Sequence, residues 1–330
     1  VEFSTVLTGS EPFLQDHHVS GSKVVPGVVY LEMARKAVEL AVGELDTSEV
    51  ISICNLVWLA PAIVEQNQCT INIQLEVENR EEMSFTIYSK ETEETIYCTG
   101  NAVIGEEEED AFYDLDSIKE ADFTDEWEPS EIYSCLKESG LDYGPSFQAI
   151  QYLGCKDNQV VALLELDKQY VDDRYVLIPG IADAALHSAI AFSLCHEADG
   201  ESHYGPMLPL AVDEVTIYEK CAGKMIAVLT KEQSVSGKMN KIDILLLNEN
   251  GQLCISINGL VTKKVSAPKQ KENDCVVFTP KWCEKELATA LEKGDMNRSI
   301  VMFGANKNVK EELYKHYNSE DLLFLDMSGD

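Results

Sequence analysis

Two helices that begin alike divide this chain. Val25-Pro26-Gly27-Val28 opens one, Ile178-Pro179-Gly180-Ile181 opens the other, and strand-like segments follow each. Proline suits the first helical position, where its missing N–H leaves no bond unmade. After Pro26 the run VVYLEMARKAVELAV keeps apolar residues at helical spacing until Gly43. Strand-like runs then cover 49–60, 69–77, 83–90 and 94–104, several of them alternating and rich in Ile, Val, Thr and Tyr. In the second half PSEIYSCLKESG predicts a short helix, and QYLGC and VVALLEL predict strands. A long helix is predicted from Pro179 through Cys195. Strands resume at 208–219, 224–230 and in KIDILLLNENGQLCISINGLVTKKV, where Asn250-Gly251 marks a hairpin turn. A helix must bury its apolar stripe against another element. This order therefore predicts an α+β fold, a helix wrapped by a curved antiparallel sheet, built twice in tandem.

The halves are expected at 1–105 and 129–265. The stretch 106–128, which opens with a run of acids, is predicted to be a solvated linker between them. From 266 to 330 the pattern changes. After the polar SAPKQKEND, runs such as VVFTP, CEKELATALEKG, SIVMFGA, KNVKEELYKHY and LLFLD alternate as β-α-β-α-β. That is the opening of a Rossmann-like α/β fragment, expected to be cut short at Asp330. It has no G-x-G-x-x-G, so no nucleotide site is assigned to it.

Composition narrows the function. With 330 residues and 45% apolar content the chain can build a normal core. No apolar run approaches the roughly 20 residues of a membrane span, and the opening VEFSTVLTGS has neither part of a signal peptide. The missing initiator Met points to a segment of something longer. A net charge of −32 repels phosphate backbones and anionic lipid, and no basic patch offsets it, so nucleic-acid and membrane partners are not expected. Ten scattered cysteines, none at C-x-x-C spacing, predict free thiols in a reducing cytoplasm rather than a zinc site or a disulfide framework.

Three places could carry chemistry. The first N–H groups of a helix lack intrahelical partners, and that end is electropositive. Gly27 offers such an N–H with no side chain in the way, which suits a carbonyl oxygen that gains negative charge. His17 and His18, just upstream, could supply a base toward the adjacent carbon, or could be a surface pair. On the second helix Asp183 lies one turn before His187 among apolar neighbours. Desolvation there would raise its pKa and favour a proton donor, while the helix start pulls the other way; equally, it could only support the helix start. The third place is the turn around Tyr143-Gly144-Pro145-Ser146-Phe147. Its tyrosine could orient a substrate oxygen, or both aromatics could simply pack the turn.

Together these pieces resemble the dehydratase domains of bacterial modular polyketide synthases over roughly residues 1–265. The family motif H-x3-G-x4-P is matched by His17, Gly21 and Pro26, which selects His17 over His18. Y-G-P-x-F is matched by Tyr143, Gly144, Pro145 and Phe147. H-P-x3-D-x3-Q/H is matched by Pro179, Asp183 and His187, with Ile178 in place of its leading histidine. L-P-F-S-W survives only as Leu208-Pro209-Leu210. The resemblance implies a double-hotdog fold and a β-hydroxyacyl thioester carried on the phosphopantetheine of an acyl carrier protein. His17 would take the α-proton, Gly27 N–H would hold the thioester oxygen, and Asp183, with His187 and Tyr143, would protonate or bind the departing hydroxyl. Gly21 and Pro26 would complete the substrate site. No metal or other cofactor is implied. Expected partners are the carrier protein, the ketoreductase and ketosynthase domains of the same synthase, and a second copy in a homodimer, all cytoplasmic. The tail resembles the start of a ketoreductase structural subdomain. Two alternatives share the fold: a double-bond-shifting isomerase or cyclase, whose isomerase-type relatives usually lack the aspartate, and a non-catalytic thioester-binding scaffold.

Overall fold

The computed structural model describes residues 1–43, 45–64, 68–90, 95–106, 111–119, 123–194, 207–231, 241–264, 300–303, 307–317 and 322–325. Chain contacts divide it into two units, 1–272 and 273–330.

The first half of unit 1 opens with β1 (Glu2–Leu7), the single-turn α1 (Pro12–Gln15) and the short strands β2 (His17–Val19) and β3 (Ser22–Lys23). The long helix α2 (Gly27–Val42) follows, then β4 (Glu49–Trp58), β5 (Cys69–Val77), β6 (Glu82–Ser89) and β7 (Thr95–Glu106). Pro26 caps the start of α2, and Gly43 ends it at φ 87°, donating its N–H to Glu39 O. Residues 28–32, 34, 35, 37 and 38 are all buried, on every side of the helix. A helix buried all round must be wrapped, and the sheet does the wrapping.

The second half begins with α3 (Leu115–Lys119), β8 (Asp125–Trp127), α4 (Pro129–Glu138) and β9 (Leu141–Tyr143), then β10 (Ile150–Lys156) and β11 (Gln159–Glu165). Next come α5 (Pro179–His187), a 3-10 turn at Ser188–Ile190, α6 (Ala191–Leu194), and strands β12 (Met207–Ile217), β13 (Lys224–Lys231), β14 (Lys241–Leu247) and β15 (Leu253–Lys264).

One antiparallel sheet carries both halves among the described residues, in the order β1-β5-β6-β7-β4-β12-β15-β14-β13-β11-β10-β8. Outward from the β4–β12 seam, each side runs first strand, fourth, third, second after its helix. That mirrored order is the duplication in the sequence made visible. At the seam Ile51 faces Ile217 and Val57 faces Ala211, and one apolar core takes in residues of both halves.

The second helix is shorter than its sequence pattern. Ser188 Oγ donates to Ala184 O at 2.8 Å, a bond that competes with the main-chain ladder and bends helices. The chain continues as a 3-10 turn and then α6, while Cys195 lies outside the described residues. The acidic stretch 106–128 also departs from the expected solvated linker. Its few apolar residues decide the matter: Ala111, Leu115, Ile118 and Phe123 pack over Val161, Ile226, Val228 and Leu253 on the outer face of the second-half sheet. Trp127 pairs with Leu153, so β8 adds an edge strand to that sheet. Cys54, Cys69, Cys98, Cys135, Cys221 and Cys254 are free thiols. Cys155, expected to be free, is disulfide-bonded.

Gly180 shows why the second helix repeats Pro-Gly. A Cβ there would fall well inside contact distance of the Ser146 carbonyl oxygen. The start of α5 therefore presses on the backbone of the Pro145–Phe147 turn, and Asp183 sits one turn further on. Gly180→Ala is expected to push the helix off that turn, at a cost of about 1–3 kcal/mol. Denaturant unfolding of the variant measures it.

Unit 2 shows β16 (Ile300–Phe303), α7 (Lys307–Leu313) and β17 (Leu322–Leu325), with β16 and β17 parallel and in register from Ile300/Leu322 to Phe303/Leu325. A helix between parallel strands is the βαβ unit expected of a Rossmann-like fragment. The runs VVFTP and CEKELATALEKG fall outside the described residues. No described helix is long and apolar enough to cross a membrane.

Candidate active site

The site is assembled where the halves meet. In a small sheet, β2 of the first half pairs with β9 of the second, setting His17 opposite Tyr143 and Val19 opposite Leu141. Alternation along β2 then points His17 inward, 6% exposed, and leaves His18 on the other face. The two-residue turn between β2 and β3 holds Ser20 at φ 51° and Gly21 at φ 84°. Two consecutive positive φ values fit a type I′ hairpin, and Gly21 meets them without strain.

His17 Nδ1 lies 2.7 Å from Val24 O. A carbonyl can only accept, so Nδ1 carries the proton and Nε2 keeps a bare lone pair. Burial, with the neighbouring His18 adding to it, lowers the His17 pKa to about 4, so the imidazole is neutral at pH 7. Nε2 faces Asp183 Oδ2 at 3.7 Å.

Asp183 is 4% exposed on the first turns of α5, and burial pushes its pKa up to about 8. The desolvation of its apolar neighbours outweighs the helix start. Its Oδ2 makes no hydrogen bond. His187 Nδ1 is 3.4 Å away, but the pair is too poorly aligned to bond, and Nδ1 is also without a partner. On its other side His187 Nε2 is 2.6 Å from the Tyr143 hydroxyl. Burial raises the Tyr143 pKa well above the usual phenol value, so the phenol keeps its proton beside His187. The result is a carboxyl group whose burial favours its protonated form, between two imidazoles that burial keeps neutral.

His17, Gly27, Tyr143, Asp183 and His187 all line one cavity of about 480 Å³. Gly27 is the first residue of α2, and Trp58 Nε1 donates to its carbonyl at 3.1 Å, holding the helix start against the cavity wall. Gly21 and Pro26 do not line the cavity; Gly21 makes the hairpin turn and Pro26 caps α2, so both position their neighbours. Ile178, in place of the motif's histidine, is buried at the α5 cap and also off the wall, whereas Leu208, Pro209 and Leu210 are on it.

Sequence reading missed Asp16 and Trp58. Asp16 ties β2 to the tyrosine turn, its O accepting from Gly144 N at 2.8 Å and its Oδ2 from Ser146 N at 2.9 Å. Its place beside His17 was the available signal. Trp58, at the end of a strand pattern, gave none. Among the described residues no cluster of His, Cys, Asp and Glu could hold a metal ion.

His17 and Asp183 thus face each other across one cavity at the start of α2. Models of the polyketide synthase dehydratase domain match residues 1–90, and of the polyketide synthase dehydratase N-terminal domain residues 115–272. A solved trans-AT polyketide synthase dehydratase domain from Brevibacillus brevis is 34% identical, with a TM-score of 0.73 over 80% of this chain and 94% of that one. The dehydratase domain from the CurF module of the curacin synthase, 21% identical, shares the fold with a TM-score of 0.70 over 80% of this chain and 93% of that one. Polyketide synthase PksM of Bacillus subtilis is 31% identical over 96% of this chain, which spans only 8% of that relative's length. The chain belongs to the polyketide synthase dehydratase family. Its fold is the double hotdog, and the reaction of the family is that of a hydro-lyase.

Proposed function

We propose that this site removes water from a β-hydroxyacyl thioester held on the phosphopantetheine arm of an acyl carrier protein, leaving the α,β-unsaturated thioester. The observation that carries the reading is the juxtaposition of two buried groups in one cavity: His17, whose Nε2 faces Asp183 Oδ2 at 3.7 Å, and Asp183, whose pKa burial pushes up to about 8. His17 Nε2 takes the α-proton as the Cα–H pair moves into the new double bond. The Gly27 N–H accommodates charge gathering on the thioester oxygen. Asp183 gives its proton to the β-hydroxyl as the Cβ–O bond breaks, and water leaves. Tyr143, through His187, holds that end of the site. Both protons move between the site's own residues and the substrate, so acid–base chemistry alone balances the step.

In this reading the domain works in the cytoplasm as a homodimer, beside the ketosynthase and ketoreductase domains of a larger synthase. The small share of each curated relative that the chain spans supports that setting.

The protonation pattern sets a pH window. Below about pH 4 His17 gains a proton and loses its lone pair; above about pH 8 Asp183 loses the proton it must give. A bell-shaped kcat/KM profile with limbs near those values is expected. A profile still rising above pH 9 would remove Asp183 as the acid. The reading itself is tested with a β-hydroxybutyryl N-acetylcysteamine thioester, following enoyl absorbance. Growth of the conjugated product supports dehydration. No growth, together with migration of the double bond in a supplied enoyl thioester, would assign an isomerase instead.

A further inference from the structure

The cavity wall holds a polar group that the reaction above does not use. Tyr30 lines the same cavity as Gly27. It is 2% exposed, the Ala62 backbone interacts with its oxygen, and no acceptor among the described residues takes its O–H. A buried O–H without an acceptor costs about 1–3 kcal/mol. Here it belongs to a side chain that lines the cavity.

Three observations fix where the hydroxyl points. Tyr30 follows Gly27 by three residues on α2, so both lie on one face of the helix. Helical side chains lean toward the helix N-terminus, which carries the phenol back toward the Gly27 end. The backbone of Ala62 lies beside the hydroxyl, and Ala62 O accepts from Val25 N at 3.0 Å, just before the helix starts. The ring is stacked on Tyr97, with centroids 6.4 Å apart and planes 10° apart. The phenol is held in place, protonated by burial, with an O–H to give.

We propose that the Tyr30 hydroxyl donates a hydrogen bond to a carbonyl oxygen of the bound acyl-thioester arm, acting with the Gly27 N–H at the start of α2. The proposal rests on the dehydratase reading for its substrate class. The acceptor is a carbonyl oxygen because the β-hydroxyl already has Asp183, His187 and Tyr143. Two oxygens of that class lie within a few bonds of the sulfur: the thioester's own, and that of the first pantetheine amide.

Tyr30→Phe removes the oxygen and keeps the ring, so it preserves the packing. The variant is expected to stay folded and to melt within a few degrees of the parent, because the ring and its packing are kept. It is also expected to lose about tenfold in affinity for an unreactive butyryl N-acetylcysteamine thioester, read by calorimetry, and about tenfold in kcat/KM with the β-hydroxy substrate. Repeating both with S-ethyl thioesters, which lack the amide, separates the two oxygens. A loss that persists assigns the thioester carbonyl; a loss that vanishes assigns the amide. Unchanged affinity and kcat/KM in a folded variant would overturn the proposal. Parent protein that binds through Tyr30 but never dehydrates keeps this proposal and sinks the dehydratase reading. Parent that dehydrates as fast as the Phe variant does the reverse, and parent that neither binds nor reacts sinks both.

Discussion

Asp183→Asn is expected to lower dehydration by about a thousandfold while leaving the fold intact, within the range that positioned acids and bases contribute. An amide fills the same space on α5, so the packing around it survives. It cannot deliver a proton to a hydroxyl that leaves. The carboxyl of Asp183 is buried, its Oδ2 has no hydrogen-bond partner, and burial pushes its pKa up to about 8. Each of those properties is costly in a structural residue and useful in an acid. His17→Ala is expected to fall as far for the complementary reason. It removes the Nε2 lone pair that the Val24 carbonyl, by fixing the tautomer, keeps available. The two losses should not add, because the variants disable one concerted event. Purified variants with parental circular dichroism and a lost enoyl signal would show this. Full activity in either would separate that residue from the chemistry.

The second large effect concerns stability. Glu32, on α2, is buried at 6% exposure and bonds with both oxygens. It takes Arg35 Nε and Nη2 at 2.9 Å each, and accepts from Val176 N at 3.1 Å and Leu177 N at 3.0 Å. Those amides lie just before Ile178-Pro179, where α5 begins. One carboxylate on the first-half helix thus holds the approach to the second-half helix. Glu32→Ala leaves a 6%-exposed guanidinium short of one partner, with only Glu39 remaining at 2.6 Å, and strands two amides. Breaking one side of a buried pair costs about 3–5 kcal/mol. Urea unfolding followed by circular dichroism should show a loss of that size, and Glu32→Asp should recover only part of it. A loss below about 1 kcal/mol would mean that water replaces the carboxylate.

Much of this was legible in the chain. The matching Pro-Gly helix starts and the strand runs behind them predict the doubled helix-in-sheet unit, because periodicity survives wherever a helix or strand has one buried face. The motif spacings around His17, Tyr143 and Asp183 brought the two catalytic candidates and the substrate-binding tyrosine forward. What sequence could not show depends on contact between distant segments. The β4–β12 seam, the pairing of β2 with β9, and the Asp16 bridge to the tyrosine turn leave no local pattern. Gly21 and Pro26 were read as substrate contacts because they belong to the histidine's motif. A motif records what must stay together, and these two keep the turn and the helix start in shape. The acidic linker misled for a related reason: charge dominates its composition, while its few apolar residues dominate its energy.

The central claim is that His17 and Asp183 form one acid–base pair that eliminates water from a carrier-bound substrate. Mass spectrometry of an acyl carrier protein loaded with a β-hydroxyacyl chain, incubated with the parent, His17→Ala and Asp183→Asn proteins, tests it most directly. The account predicts loss of one water from the carrier with the parent and an unchanged mass with both variants. Loss of water with either variant at the parental rate, or an unchanged mass with the parent, would contradict it.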